Sequence, residues 1–284
     1  MLTLVGFAIV LGSVIAGYVL HHGNLLVLYQ PTELLIIGGA AVGALVASSS
    51  MHTIKGMIHE CLGVLKGSGI SKEKYTQLLL CFNELFRMAV ANPISIEAHV
   101  ENPEGSELFK KYPLLLKDHH AMTFISNTMM LQLSSPMNPY DLEDLMDQDI
   151  AVMHEEEKAI PATLNRLADA LPGLGIVAAV LGVVITMGKL TEGKEVIGQS
   201  VAAALVGTFL GILLCYGIFQ PLSARVEGLI EEKGKILFVI KAGLLAYAKG
   251  SKAPAIVEFT RRNIPLEYRP SFKEIEEAMK GKAA

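Results

Sequence analysis

The stretch Ala170-Leu-Pro-Gly-Leu-Gly-Ile-Val-Ala-Ala-Val-Leu-Gly-Val-Val184 contains no charged side chain, and Val206-Gly-Thr-Phe-Leu-Gly-Ile-Leu-Leu-Cys-Tyr-Gly217 repeats its character. Extended to their natural limits, these runs cover residues 171–188 and 201–219, and two further runs cover 2–20 and 34–50. None of the four contains Asp or Glu. Each approaches the ~20 residues a helix needs to cross the ~30 Å hydrocarbon core of a bilayer. Because no segment alternates with period 2, the sequence predicts an all-α integral membrane protein: four transmembrane helices in two hairpins, with a helical segment between spans two and three.

Orientation follows from Lys and Arg, which are retained on the cytoplasmic side of a membrane. Of the 24 basic residues, 10 lie in 51–168 and 12 follow Pro221. The link 21–31 has none, and the link between the third and fourth runs has only Lys189 and Lys194. The links are therefore expected outside, with the middle segment and the C-terminus cytoplasmic. The expected divisions are 1–50 (first, outer hairpin), 51–168 (cytoplasmic helical domain), 169–221 (second, inner hairpin) and 222–284 (cytoplasmic helix and tail).

Composition agrees, with 51% hydrophobic residues and a mean hydropathy of +0.44. A net charge of -4 gives no footing for nucleic acid. Residues 1–20 lack a basic n-region and exceed the length of a signal-peptide core, so the first span is expected to persist. Cys61, Cys81 and Cys215 are too widely spaced for a CxxC pair and read as reduced thiols filling apolar space. His21-His22, His119-His120 and His154-Glu155-Glu156-Glu157-Lys158 lack HExxH spacing and read as solvated surface, so neither a metal nor another cofactor is expected. With no phosphate-binding glycine loop and no nucleophile, base and acid set, the chain does not read as an enzyme.

Residues 51–65 have helical periodicity and end at Gly67-Ser68-Gly69, and Ser71 opens a second amphipathic helix that Asn92-Pro93 closes. Ser95 is expected to cap a short helix, and 119–134 reads as another. Asn138-Pro139 pairs an N-cap residue with a proline at the first helical position, so a long helix starts there and runs toward the membrane. Pro161 and Pro172 lie within it, and bends are expected at both. Residues 222–248 continue past Pro221 as an amphipathic helix, followed by a charged tail.

The third and fourth spans differ from the first two in their small residues. Gly175, Ala179 and Gly182 lie on one, and Ala203, Gly207 and Gly211 recur at intervals of four on the other. Such residues let helix backbones approach closely, and this pattern marks either packing alone or packing around a path. Thr186, Thr208 and Tyr216 add polar groups that would line a hydrated route, or else return their hydrogen bonds to the preceding turn. No ionisable residue is expected at mid-depth, so a proton-carrying carboxylate would have to come from a second protein.

The runs 170–184 and 206–217, joined by Leu28-Tyr29-Gln30-Pro31, Glu101-Asn102-Pro103 and Arg269-Pro270-Ser271-Phe272, resemble the flagellar motor stator A subunit family, MotA, over essentially the full length. The resemblance implies a homo-oligomer, a pentameric ring, whose third and fourth helices surround two helices of MotB. It implies that MotB supplies the membrane Asp and the peptidoglycan anchor. Proton flow would turn the ring, and the cytoplasmic segment would act on the rotor protein FliG.

Residue by residue, the resemblance assigns Pro172 and Pro221 to conformational coupling and Thr208 to the pore side. Ala179 stands where sodium-driven relatives carry Thr, which favours protons. Glu97 matches an acidic rotor-contact residue, but Ala89 stands at the usual Arg position, and Arg87, the nearest substitute, projects from another face. The rival readings are an energiser of the ExbB or TolQ type, which looks three-spanned, and a non-conducting membrane scaffold.

Overall fold

The computed structural model of the protein describes residues 2–67 and 69–281. Ser68, part of the expected helix stop, and the last three residues of the tail lie outside that range. Among the described residues there is helix and no strand. In chain order the helices are α1 (Leu2–Leu20), α2 (Leu25–Leu28), α3 (Pro31–Ser48), α4 (Met51–Lys66), α5 (Lys72–Ala91), α6 (Glu97–Glu101), α7 (Glu107–Lys110), α8 (Pro113–Leu116), α9 (His119–Ser134), α10 (Pro139–Met187), α11 (Lys194–Leu214), α12 (Gln220–Ala248), α13 (Ala253–Asn263) and α14 (Phe272–Gly281). A 3-10 turn, Pro93–Ile96, precedes α6, and a π-helical turn, Cys215–Phe219, joins α11 to α12.

Local chemistry sets the helix ends. Ser71 Oγ accepts from Lys74 N at 3.1 Å, and Asn138 Oδ1 accepts from Tyr140 N and Asp141 N, each at 3.0 Å, which satisfies donors the helix itself leaves open. α4 stops at Gly67, whose φ of +88° suits a residue without a Cβ. Ser95 behaves differently from the sequence expectation: its hydroxyl donates to Asn92 O at 2.6 Å inside the 3-10 turn, and α6 starts at Glu97 with no side-chain cap. Asn92 takes the capping role, accepting from Ile94 N.

The chain forms two compact units. One comprises residues up to 68 together with 156–230, and the other 69–155 together with 231–284. The first holds the helical segments long and apolar enough to cross a membrane: α1, the α2–α3 run, the C-terminal part of α10, and α11 with the start of α12. α1 has no buried residue. α3 buries one stripe, Glu33, Ile37 and Ala41, against a cluster containing Ala168, Leu171, Ala178 and Cys215. A second cluster, Met57, Val64, Leu164, Val226, Leu229 and Ile230, ties α4, α10 and α12 together.

The second unit is built on α5, with Tyr75, Leu78, Leu79, Phe82, Leu85 and Phe86 essentially inaccessible. The C-terminal tail is folded onto it. Ile256, Ile264 and Ile275 are buried, the rings of Tyr75 and Tyr268 stack, and Lys72 pairs with Glu274 at 2.7 Å. Ser271 and Glu274 form a reciprocal capping box at the start of α14, with Ser271 N donating to Glu274 Oε2 and Glu274 N to Ser271 Oγ.

Candidate functional site: the seam between α10 and α11

The small residues of α10 and α11 meet backbone to backbone. A Cβ placed on Gly211 would lie 2.6 Å from Leu171 O and 2.9 Å from Gly175 Cα, and one on Gly175 would lie 2.8 Å from Gly207 O. Further along, a Cβ on Gly182 would lie 2.7 Å from the Ala204 methyl. These approaches are well inside van der Waals contact, so glycine is required sterically at 175, 182 and 211. Ala179 follows the same seam, its backbone N 3.3 Å from the Cβ position of Gly207.

The hydroxyl of Thr186 donates to Gly182 O at 2.8 Å, the return bond within its own helix, and the residue is buried. Thr208 is half-buried next to Gly207, and Tyr216 is exposed within the π turn. These three polar residues therefore do not converge on one point in a single chain.

The two prolines have distinct settings. α10 runs unbroken through Pro161 and Pro172. Ahead of Pro221 the backbone widens into the π turn, with Gln220 N returning to Cys215 O, five residues back. Since Pro221 has no N–H for Gly217 O, the tighter register is unavailable there. Gln220 Nε2 donates to Asp169 Oδ1 at 3.2 Å, and Ser223 Oγ, fully buried, donates to Pro161 O at 3.0 Å. Residues on both sides of Pro221 are thus tied to α10, a pair of links that no sequence signal marked.

Glu33, in the first turn of α3, is an ionisable group that the expectation of none at mid-depth did not address. It lies one residue outside the apolar run counted from Leu34, but α3 begins at Pro31 and carries it inward. The side chain is 7% exposed, its Oε2 has no hydrogen-bond partner, and that atom lies 2.8 Å from the Cβ position of Gly207. Gly207 lies roughly 20 Å along α11 from Lys194 at 1.5 Å per residue.

In the other unit, Glu97 and Arg87 are both exposed, on α6 and α5. Ala89 is 1% exposed and packs in the core. At this position of α5 a guanidinium would be buried, whereas Arg87 reaches solvent.

Comparison with known proteins places these features in a family. Residues 4–93 match the family described as Motility protein A N-terminal, and residues 117–236 match the MotA/TolQ/ExbB proton channel family. Motility protein A of Salmonella typhimurium and that of Escherichia coli are each 39% identical over 279 residues, covering 98% of this chain and 94% of theirs. The fold matches a structure of C. jejuni MotAB with a TM-score of 0.75 at 19% identity, over 95% of this chain and 98% of that one.

Proposed function

The chain belongs to the motility protein A family, and from that premise we propose that it is the proton-conducting A subunit of a flagellar stator. The observation that carries this reading is 39% identity across nearly the whole of both chains, which includes the four-helix membrane unit as well as the α5-based unit. An energiser of the ExbB or TolQ type shares the channel family, but the match to the motility N-terminal family spans 4–93, which takes in the additional hairpin helix that such three-spanned proteins lack.

In this reading the partner is a MotB-type protein whose membrane Asp supplies the exchanging carboxylate, and several copies of this chain, five by family resemblance, form a ring around it. α1, with no buried residue, faces lipid and neighbouring copies. Residues 1–50 and 169–221 form the outer and inner hairpins of an inner-membrane protein. Residues 51–168 and 222–284 are cytoplasmic, as the Lys and Arg distribution supports. The close seam of α10 and α11, flanked by Pro172 and Pro221, turns a change of charge in the ring into a shift of backbone. Thr208 and Ala179 face the route. An Ala methyl cannot coordinate sodium, which supports protons as the coupling ion. Glu97, with Arg87, is the side chain offered to FliG.

The test is motility of cells lacking the gene and complemented with it, while proton gradient and external sodium are varied independently. Swimming is expected to follow the proton gradient regardless of sodium. Thr208→Ala and Pro172→Ala are expected to abolish rotation at unchanged protein levels. Normal swimming of both at normal levels would remove them from the coupling pathway, and motility independent of the gene would overturn the stator reading.

A further inference from the structure

Between α9 and the first part of α10 the second unit carries an open groove of about 340 Å³, walled by Asn127 and Leu131 from α9 and by Leu145, Gln148, Asp149 and Val152 from α10. α10 turns one side into the core, where Leu142, Met146 and Ile150 are at most 4% exposed. Leu145, Asp149 and Val152, at i, i+4 and i+7, share a different face. On it Leu145 is 42% and Val152 59% exposed. The polar groups beside this apolar strip are unspent. Asp144, one turn before Gln148, and Asp149 are exposed, as are the amides of Asn127 and Gln148, and none of the four side chains has a hydrogen-bond or ion-pair partner among the described residues.

Charge around the groove has one sign. Residues 139–155 hold six acidic residues and no Lys or Arg, and residues 119–138 hold no Asp, Glu, Lys or Arg. Lys241 engages Glu143 at 3.4 Å and Asp147 at 2.6 Å, on another side of α10, so Asp144 and Asp149 stay uncompensated. The helix itself does not call for them. Its open N–H groups favour an acid in the first turn, which is Asp141, and Asp is a poor helix former further in.

A solvated face accounts for the carboxylates but not for the Leu145 and Val152 strip, and a plain apolar contact accounts for the strip but not for the carboxylates. An amphipathic helix with apolar side chains one to two turns apart and Lys or Arg along its margins answers both. An anionic bilayer surface and nucleic acid are repelled by the same charges. A second copy of this chain is the poorer fit, since the chain is itself acidic, with a net charge of -4.

We propose that the α9–α10 groove is a docking site for a basic amphipathic helix of another protein, whose apolar side chains seat against Leu131, Leu145 and Val152 and whose Lys or Arg groups pair with Asp144 and Asp149. The site uses neither Glu97 nor Arg87, and it stands whether or not the stator reading does.

The experiment holds the full complex in discs of neutral phosphatidylcholine and follows the fluorescence anisotropy of a labelled helical peptide of alanine and lysine that carries two leucines seven residues apart, with empty discs as the blank. A twin with glutamate for lysine is run beside it. The lysine peptide is expected to bind and its twin to bind at least about tenfold more weakly. Joint Asp144→Asn and Asp149→Asn, and separately joint Leu145→Ser and Val152→Ser, are each expected to weaken the lysine peptide about tenfold at an unchanged melting midpoint. Equal binding of the twins, no binding, or indifference to either pair of substitutions would overturn the proposal. If a substituted protein fails to accumulate, the comparison of the twins on the unaltered protein decides. In cells, a benzophenone amino acid in place of Val152 is photolysed and the attached peptide is sequenced by mass spectrometry. An adduct on a Lys- or Arg-rich helix of another protein is the expected result. An adduct on another copy of this chain, on lipid alone, or none at all would overturn the proposal.

Discussion

Substitution of Gly211 by Ala tests whether the α10–α11 seam is as tight as its backbone contacts indicate. The added methyl would meet Leu171 O at 2.6 Å and Gly175 Cα at 2.9 Å, whereas ordinary contact begins near 3.4 Å. Neither atom is the end of a flexible side chain, so the helices must part by about 0.8 Å, and overpacking of this kind costs about 1–3 kcal/mol. Removing a helical glycine returns about 1 kcal/mol. A net loss of about 0–2 kcal/mol is expected, the upper part of that range because the methyl meets backbone atoms that cannot swing away. Gly198→Ala, on the same helix with nothing within 4 Å of its Cβ position, keeps the propensity gain without the clash. The assay is the thermal midpoint of the detergent-purified protein, with rotation speed in complemented cells as the functional readout. Gly211→Ala should melt lower than the parent and rotate slowly, and Gly198→Ala should melt at or above it. Equal melting and equal rotation of the two variants would refute the tight-seam reasoning.

Three other outcomes are expected. Ala89→Arg should fail to accumulate, since a guanidinium at a position 1% exposed costs about 3 kcal/mol or more, while Arg87→Ala should leave membrane levels unchanged on immunoblots. Lys74→Met should lower the melting midpoint by the equivalent of about 2–3 kcal/mol, because it strands Asp118, its partner at 2.7 Å, in a poorly solvated position; Lys72→Met, removing the solvent-screened pair with Glu274, should leave the midpoint nearly unchanged. Hydrogen bonds from Arg261, reinforced by Arg262, hold the Glu258 carboxyl down at about 2 against its ordinary 4.5. Its contribution, about 1–2 kcal/mol after solvent screening, is whole above pH 4.5 and disappears as pH falls toward 2, so the melting difference between parent and Glu258→Gln should shrink across that window.

The membrane helices were legible because hydropathy is a local property, and so were the caps at Ser71 and Asn138, where one side chain reaches donors two or three residues away. The glycine spacing on α11 was legible as a pattern, but which glycines touch backbone and which face open space depends on the partner helix. Glu33 escaped because its burial is decided by Gly207, far along the chain, and an apolar count starting at Leu34 left it outside. Ser95 was misread because Asn92, three residues earlier, offered the better capping oxygen. The order of the tail is a tertiary matter: Ile256, Ile264 and Ile275 look sparse among charges until α5 supplies the surface that covers them.

The π turn at Cys215–Phe219 fixes the angular phase of the first turns of α12. One residue in an α-helix is worth about 100° of rotation, so a turn with an extra residue swings the downstream face around the axis without altering any side chain. Gln220 and Ser223 reach Asp169 and Pro161 because of that offset. The alignment of α12 with α10 is thus encoded in the number of residues between Gly211 and Pro221 more than in their identity. Deleting a single residue there is more disruptive than replacing one, and a compensating insertion elsewhere in the same stretch restores the phase.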